Sequence, residues 1–160
     1  MTDLSKANTH TNPVPESNHK PANGDYLSGK INVPGGLGIE YAKDFGDQFQ
    51  LATSLSSWFA ISQASVEGRY VFRRADRSKD QSWDFYAGVG VHALASPLLF
   101  PTVAPGANLS IGTQKSWDNG FFLGLDVGAM VLWAPPGSEG GGNEWGGLPT
   151  ANLRLGHVWR

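Results

Sequence analysis

The chain has 160 residues, one domain's worth, with 21 Gly, 10 Pro, 6 Trp, no Cys and only 16% charged residues, against roughly 25% in ordinary soluble domains. Twelve Lys and Arg against fourteen Asp and Glu leave a formal net charge of −2, so there is no basic excess to hold phosphates and no nucleic-acid partner is expected. Without Cys there is no disulfide scaffold, no Cys-ligated zinc and no thiol catalysis. No apolar run approaches the ~18 residues of a membrane-spanning helix. The slightly negative mean hydropathy does not speak against a transmembrane β-barrel, which hides its lipid face in every second residue.

Residues 1–24 are polar and rich in Asn, Pro, Ser, Thr and Lys, without periodicity, and read as a disordered tail. They also lack the ~7–15-residue apolar core of a signal peptide. Residues 25–160 read as one β-barrel domain. Its first strand is the weakest: YLSGKINV offers Leu27, Ile31 and Val33 in one phase, followed by Pro34, Gly35 and Gly36 as a turn. Beyond it the period is two throughout. Successive apolar faces are Leu37/Ile39/Tyr41, Phe49/Leu51/Thr53/Leu55 and Val66/Gly68/Tyr70/Phe72. They continue with Trp83 to Ala93, Ala107/Leu109/Ile111/Thr113, Phe121 to Trp133, and Ala151/Leu153/Leu155 running towards Trp159.

The connections alternate in character. Polar turns at Asp44 to Asp47, Arg74 to Gln81 and Lys115 to Gly120 sit at one end of successive hairpins. At the other end lie SQA after Trp58, the Pro-rich stretch Ser96 to Gly106 and the Gly-rich stretch Ala134 to Gly147, read as loops. An all-β, up-and-down antiparallel barrel of about eight strands is the economical topology, because closure removes exposed edges.

Two residue distributions bear on which face is outside. Lysine avoids the strands: Lys43, Lys79 and Lys115 lie at strand ends or turns, Lys6 and Lys20 in the tail, and only Lys30 inside a candidate strand. A soluble barrel would decorate its wet face with mid-strand Lys and Glu. The polar face instead carries Gly, Ala, Ser and Asn with single charges of both signs, namely Glu40, Glu67, Arg69, Arg73, Asp84, Asp126 and Arg154, together with Tyr86, His92, Asn108 and Asn152. Small residues and opposite charges suit a narrow lumen, where charges must pair. Tryptophan gathers at strand ends: Trp58, Trp83, Trp133 and Trp159, with Trp117 and Trp145 in connections. Trp58, Trp83, Trp117, Trp133 and Trp159 are thus expected at membrane interfaces, where amphipathic rings suit the headgroup level.

The segments YAGVGVHAL and FFLGLDVGAMVLW and the final strand ANLRLGHVW resemble the strands of small eight-stranded bacterial outer-membrane barrels, the broad group around outer-membrane protein A. The resemblance covers roughly residues 26–160 and lies in style, not in a diagnostic motif. It implies a transmembrane barrel in the outer membrane of a Gram-negative bacterium, with membrane lipid and the barrel-assembly machinery as partners. In that group the last residue is commonly an aromatic recognised during assembly; here Trp159 is followed by Arg160. The expectation also carries a condition: a chain beginning MTDLSK has either had its start truncated or replaced, or is not exported. A soluble lipocalin-like barrel enclosing a small apolar ligand is the alternative.

No cofactor motif is present, and no cofactor is expected. Some barrels of this size modify lipid A, and His92, Ser110 and Asp126, which share the polar face of three consecutive strands, are the residues that could form a catalytic set. His92 lies about ten residues up its strand and the other two about five, so no catalytic residue is assigned. His10, His19 and His157 lack ligand spacing, and no metal site is expected. The expected function is structural or binding, exercised through rim loops with Phe100 and Trp145 as candidate contacts; the loop ligand is not specified.

Overall fold

A computed structural model describes residues 24–59, 61–73, 83–96, 100–134 and 144–159. Eight antiparallel strands, β1 (Asp25–Val33), β2 (Gly36–Phe45), β3 (Phe49–Trp58), β4 (Ile61–Arg73), β5 (Asp84–Ser96), β6 (Phe100–Ser116), β7 (Phe121–Ala134) and β8 (Glu144–Trp159), follow one another round a closed barrel. Closure comes from β1 pairing β8, Asp25 opposite Trp159 through Val33 opposite Ala151. Stepping from partner to partner, Ser28 leads through Glu40, Ser54, Ser65, His92, Gly106 and Leu132 to Gly146. Ser28 faces Gly156 directly, so one circuit shifts the register by ten residues, from 146 to 156. Such a stagger over eight strands goes with a tilt of roughly 35–45°.

The alternation of residue types becomes an alternation of sides. Leu37, Ile39, Val89, Val91, Leu109, Ile111 and Val127 are all exposed on the outer surface, whereas Glu40, Arg69, Asp126 and Arg154 on the opposite phase are buried. This barrel is polar inside and apolar outside.

Two rims result. The proximal rim carries both ends of the barrel, Gly24 and Trp159, with the turns after β2 and β6; the distal rim carries the turns after β1 and β3. Gly46 closes the β2–β3 turn at φ +74°, a conformation that is inexpensive for glycine alone. The turn after β3 is tighter than the sequence suggested: Trp58 already pairs Ile61, and Ser62, Gln63 and Ala64 continue β4. The alternation runs on through them, with Gln63 buried between exposed Ser62 and Ala64, a contrast of sides that hydropathy does not register.

The two distal stretches expected as loops are also shorter. β6 begins at Phe100, joined to Ser96 across an irregularity in the ladder, and β8 begins at Glu144, opposite Ala134. Antiparallel ladders satisfy their backbone pairwise, so a hairpin continues past the barrel body without help from apolar alternation. Phe100 and Trp145 therefore stand on strand backbone, and their side chains lie outside the described residues, as do residues 1–23 of the expected tail and the side chain of Arg73. β1 stops opposite Ala151 while β8 runs seven residues further, to Glu144, beside β7. The β5–β8 wall thus rises above β1 at the distal mouth.

Candidate functional site

The lumen is layered. Nearest the proximal rim, Tyr26, Ala42, Ala52, Phe122 and Val158 form an apolar cluster, with the Tyr26 and Phe122 rings edge to face at 5.4 Å. The Tyr26 hydroxyl donates to Asp44 at 2.9 Å, and Gln50 Nε2 donates to the other Asp44 oxygen at 3.1 Å.

Above this cluster lies the charged layer. Glu40, on β2, is its centre. Arg69 grips it with both terminal nitrogens, at 2.8 and 3.0 Å, and Arg154 reaches the same carboxylate at 3.0 Å from β8. Lys30 Nζ lies 3.4 Å away. Arg69 Nε donates to Glu67 at 2.6 Å, and Arg154 Nε lies 3.4 Å from Asp126. Tyr86 stands between the guanidiniums, 5.2 Å from one and 5.4 Å from the other, and its hydroxyl donates to Asp126 at 2.9 Å while accepting from Arg154. Three cations, Lys30, Arg69 and Arg154, meet three carboxylates, Glu40, Glu67 and Asp126. The charges balance, as burial demands.

Register explains the convergence. Glycines opposite the bulky groups leave them room: a Cβ on Gly124 would come within 2.9 Å of the Arg154 guanidinium carbon. Gly124→Val is therefore expected to lower stability by about 1–3 kcal/mol, read as a lower urea midpoint with an unchanged slope.

Of the residues singled out in the sequence, Glu40, Glu67, Arg69, Asp126 and Arg154 meet in this layer. Asp84 does not: it sits nearer the proximal rim, where Gln114 Nε2 donates to it at 3.3 Å. His92 lies on the distal side, 5% exposed. Lys30 and Tyr86 complete the layer, and both are faint in the sequence, one because its strand is weakly patterned and the other because it is neutral. Ser110 pairs Gly88, four residues along β5 from His92, or about 13 Å; Asp126 is engaged by Tyr86, Asn152 and Arg154. The three are not assembled as a nucleophilic set.

The outer rims are aromatic. At the proximal rim Trp117 and Trp159 are joined by Phe45, Phe49, Tyr70, Phe72, Phe85 and Phe121, at the ends of five different strands. Phe49 packs on Tyr70 at 5.4 Å, Phe72 on Phe85 at 6.5 Å and Trp117 on Phe121 at 5.2 Å. Trp83 lies immediately before β5, at the same rim. At the distal rim are Trp58, Phe59 and Trp133. Phe59 is 97% exposed with φ +47° and meets Trp58 edge to face at 6.0 Å; a bulky residue in that region is strained. From Phe49 to Trp58 is nine steps of β3, roughly 21–24 Å along the axis at ~3.3 Å per step and the tilt above. In the sequence these phenylalanines read only as part of an apolar face, because an apolar face and a girdle draw on the same residues.

Compared with protein-family models, curated proteins and solved structures, the chain matches none.

Proposed function

We propose that this protein is a small outer-membrane-type β-barrel that spans a lipid bilayer, its lumen closed by paired side chains, with a structural or binding role exercised at the distal rim. One observation carries the reading: the outer wall is apolar between two aromatic rims while the interior is polar and holds an ionic layer in which three cations meet three carboxylates. In water that surface would bury nothing, and contiguous exposed apolar patches beyond a few hundred Å² mark an interaction surface. The spacing of the rims matches an apolar band of ~25 Å flanked by girdles. A lipocalin-like function needs an apolar chamber, and the layer at the middle of this barrel is ionic. The bacterial outer membrane, with its lipid and assembly machinery as partners, is the setting that accommodates such a barrel.

The experiment is depth-dependent quenching of tryptophan fluorescence in vesicles of brominated phosphatidylcholine. Bromines placed shallow on the acyl chains are expected to quench more strongly than bromines near the chain ends, because the described tryptophans sit at the rims. No quenching at either depth would remove the membrane reading.

A further inference from the structure

At the proximal rim the outer wall carries two opposite charges whose hydrogen-bonding capacity is unfilled. Asp25 on β1 pairs Lys43 on β2, both side chains about half exposed, with Lys43 Nζ 3.7 Å from Asp25 Oδ1. The same oxygen accepts from the Tyr41 hydroxyl at 2.6 Å. Asp25 Oδ2 has no hydrogen-bond partner among the described residues, and the Lys43 ammonium, too far from Oδ1 to donate to it, makes no hydrogen bond among them either. An exposed pair of this length contributes little by itself. The two charges therefore stand open side by side, with Trp159 facing Asp25 from β8.

An apolar groove begins where these charges end. The stagger of the barrel climbs distally from β1 through β2 towards β8, so a line drawn along the barrel axis from this pair leaves β1 and crosses β2, β3 and β4. On that line the outer wall is indented by a groove of about 740 Å³. It starts at Leu27 and Tyr41, two residues along from Asp25 and Lys43, and runs over Thr53 and Ala64 to Ala93. Ala64 and Ala93 face each other across β4 and β5, where the branched residues that strands favour would fill the indentation. Tyr41 joins the two parts, lining the groove and donating at its mouth to Asp25.

We propose that this part of the outer wall holds one phospholipid with a phosphoethanolamine head, its acyl chain in the groove. The inference rests on the membrane reading and adds to it a lipid that the barrel selects. The primary ammonium of the head donates to Asp25 Oδ2, and its phosphate accepts from Lys43, so a dipolar head meets a dipolar pair with its signs matched. A phosphocholine head fails because its quaternary nitrogen carries no hydrogen to donate. A phosphoglycerol head satisfies Lys43 but brings no cation, leaving a phosphate beside the Asp25 carboxylate.

The test is native mass spectrometry of the full chain released from nanodiscs of phosphatidylcholine, phosphatidylethanolamine and phosphatidylglycerol in equal parts with identical acyl chains. The last lipid retained per chain is expected to be phosphatidylethanolamine, enriched about fivefold or more over each of the others, the scale of one charge-assisted hydrogen bond. Asp25→Asn keeps an acceptor for Tyr41 but removes the charge, and should abolish the enrichment. Ala64→Leu fills the groove and should lower retention of every lipid, whereas Ala129→Leu, also outward but on β7, should not. All three positions lie on the outer surface, so the variants should fold. A chain that does not enter nanodiscs removes the membrane reading and this proposal with it. A chain that enters them without preferring phosphatidylethanolamine overturns the proposal alone. So does preference for phosphatidylglycerol, unchanged enrichment in folded Asp25→Asn, or equal retention by Ala64→Leu and Ala129→Leu.

Discussion

Glu40→Ala is expected to destabilise the barrel by about 3–5 kcal/mol, the range for breaking a buried ionic cluster by removing one partner. The carboxylate accepts from Arg69 and Arg154 and lies beside Lys30, so its removal leaves two carboxylates facing three buried cations. Desolvation, not lost attraction, sets the size of the effect. Urea unfolding of the detergent-solubilised protein is the measurement, with Lys30→Met as the control that restores neutrality when combined with Glu40→Ala and recovers part of the loss. Arg69→Ala and Asp126→Ala should likewise lower resistance to thermal unfolding. Unchanged melting of all three single variants would mean that these groups are hydrated by solvent.

A cation on the outer wall should be costly in proportion to its depth. Val127 lies midway between Phe121 and Trp133 on β7 and is 57% exposed. Val127→Arg is expected to lower folding free energy in phosphatidylcholine vesicles by about 2–4 kcal/mol, the value for arginine at a bilayer midplane. Phe45→Arg, at the proximal rim, should lose about 0–1 kcal/mol by the same depth dependence. For a barrel surrounded by water both changes are ordinary surface substitutions, within about 0.5 kcal/mol. Reversible urea titration of the two variants side by side separates these cases, because only lipid makes position matter.

Much of this fold is legible in residue order because alternation is a local property. Leu37/Ile39/Tyr41 and Phe121 to Trp133 declare their faces without reference to anything distant, and the charges between them declare the other side. Contact is a different matter. Glu40 and Arg154 are 114 residues apart and meet only because ten residues of stagger accumulate round the barrel, a quantity that no single hairpin reveals. Segments that break alternation are equally opaque: Phe100 to Pro105 and Glu144 to Pro149 hold Pro and Gly where a strand would show branched residues, yet their backbones continue the ladders. Ser62 to Ala64 are opaque for the opposite reason, since Ser, Gln and Ala alternate without an apolar contrast. Lys30 illustrates the cost of weighing residues by strand strength, because its weak strand is the one that closes the barrel against β8.

The apolar outer wall is proposed to be a lipid-facing surface. Urea-unfolded chain diluted into phosphatidylcholine vesicles, and in parallel into plain buffer, tests it through heat-modifiable gel migration. The expected result is a compact band from the vesicle sample that shifts to the unfolded position on boiling, and aggregated chain in buffer. A monodisperse folded protein in buffer, with no band shift gained from vesicles, would contradict it.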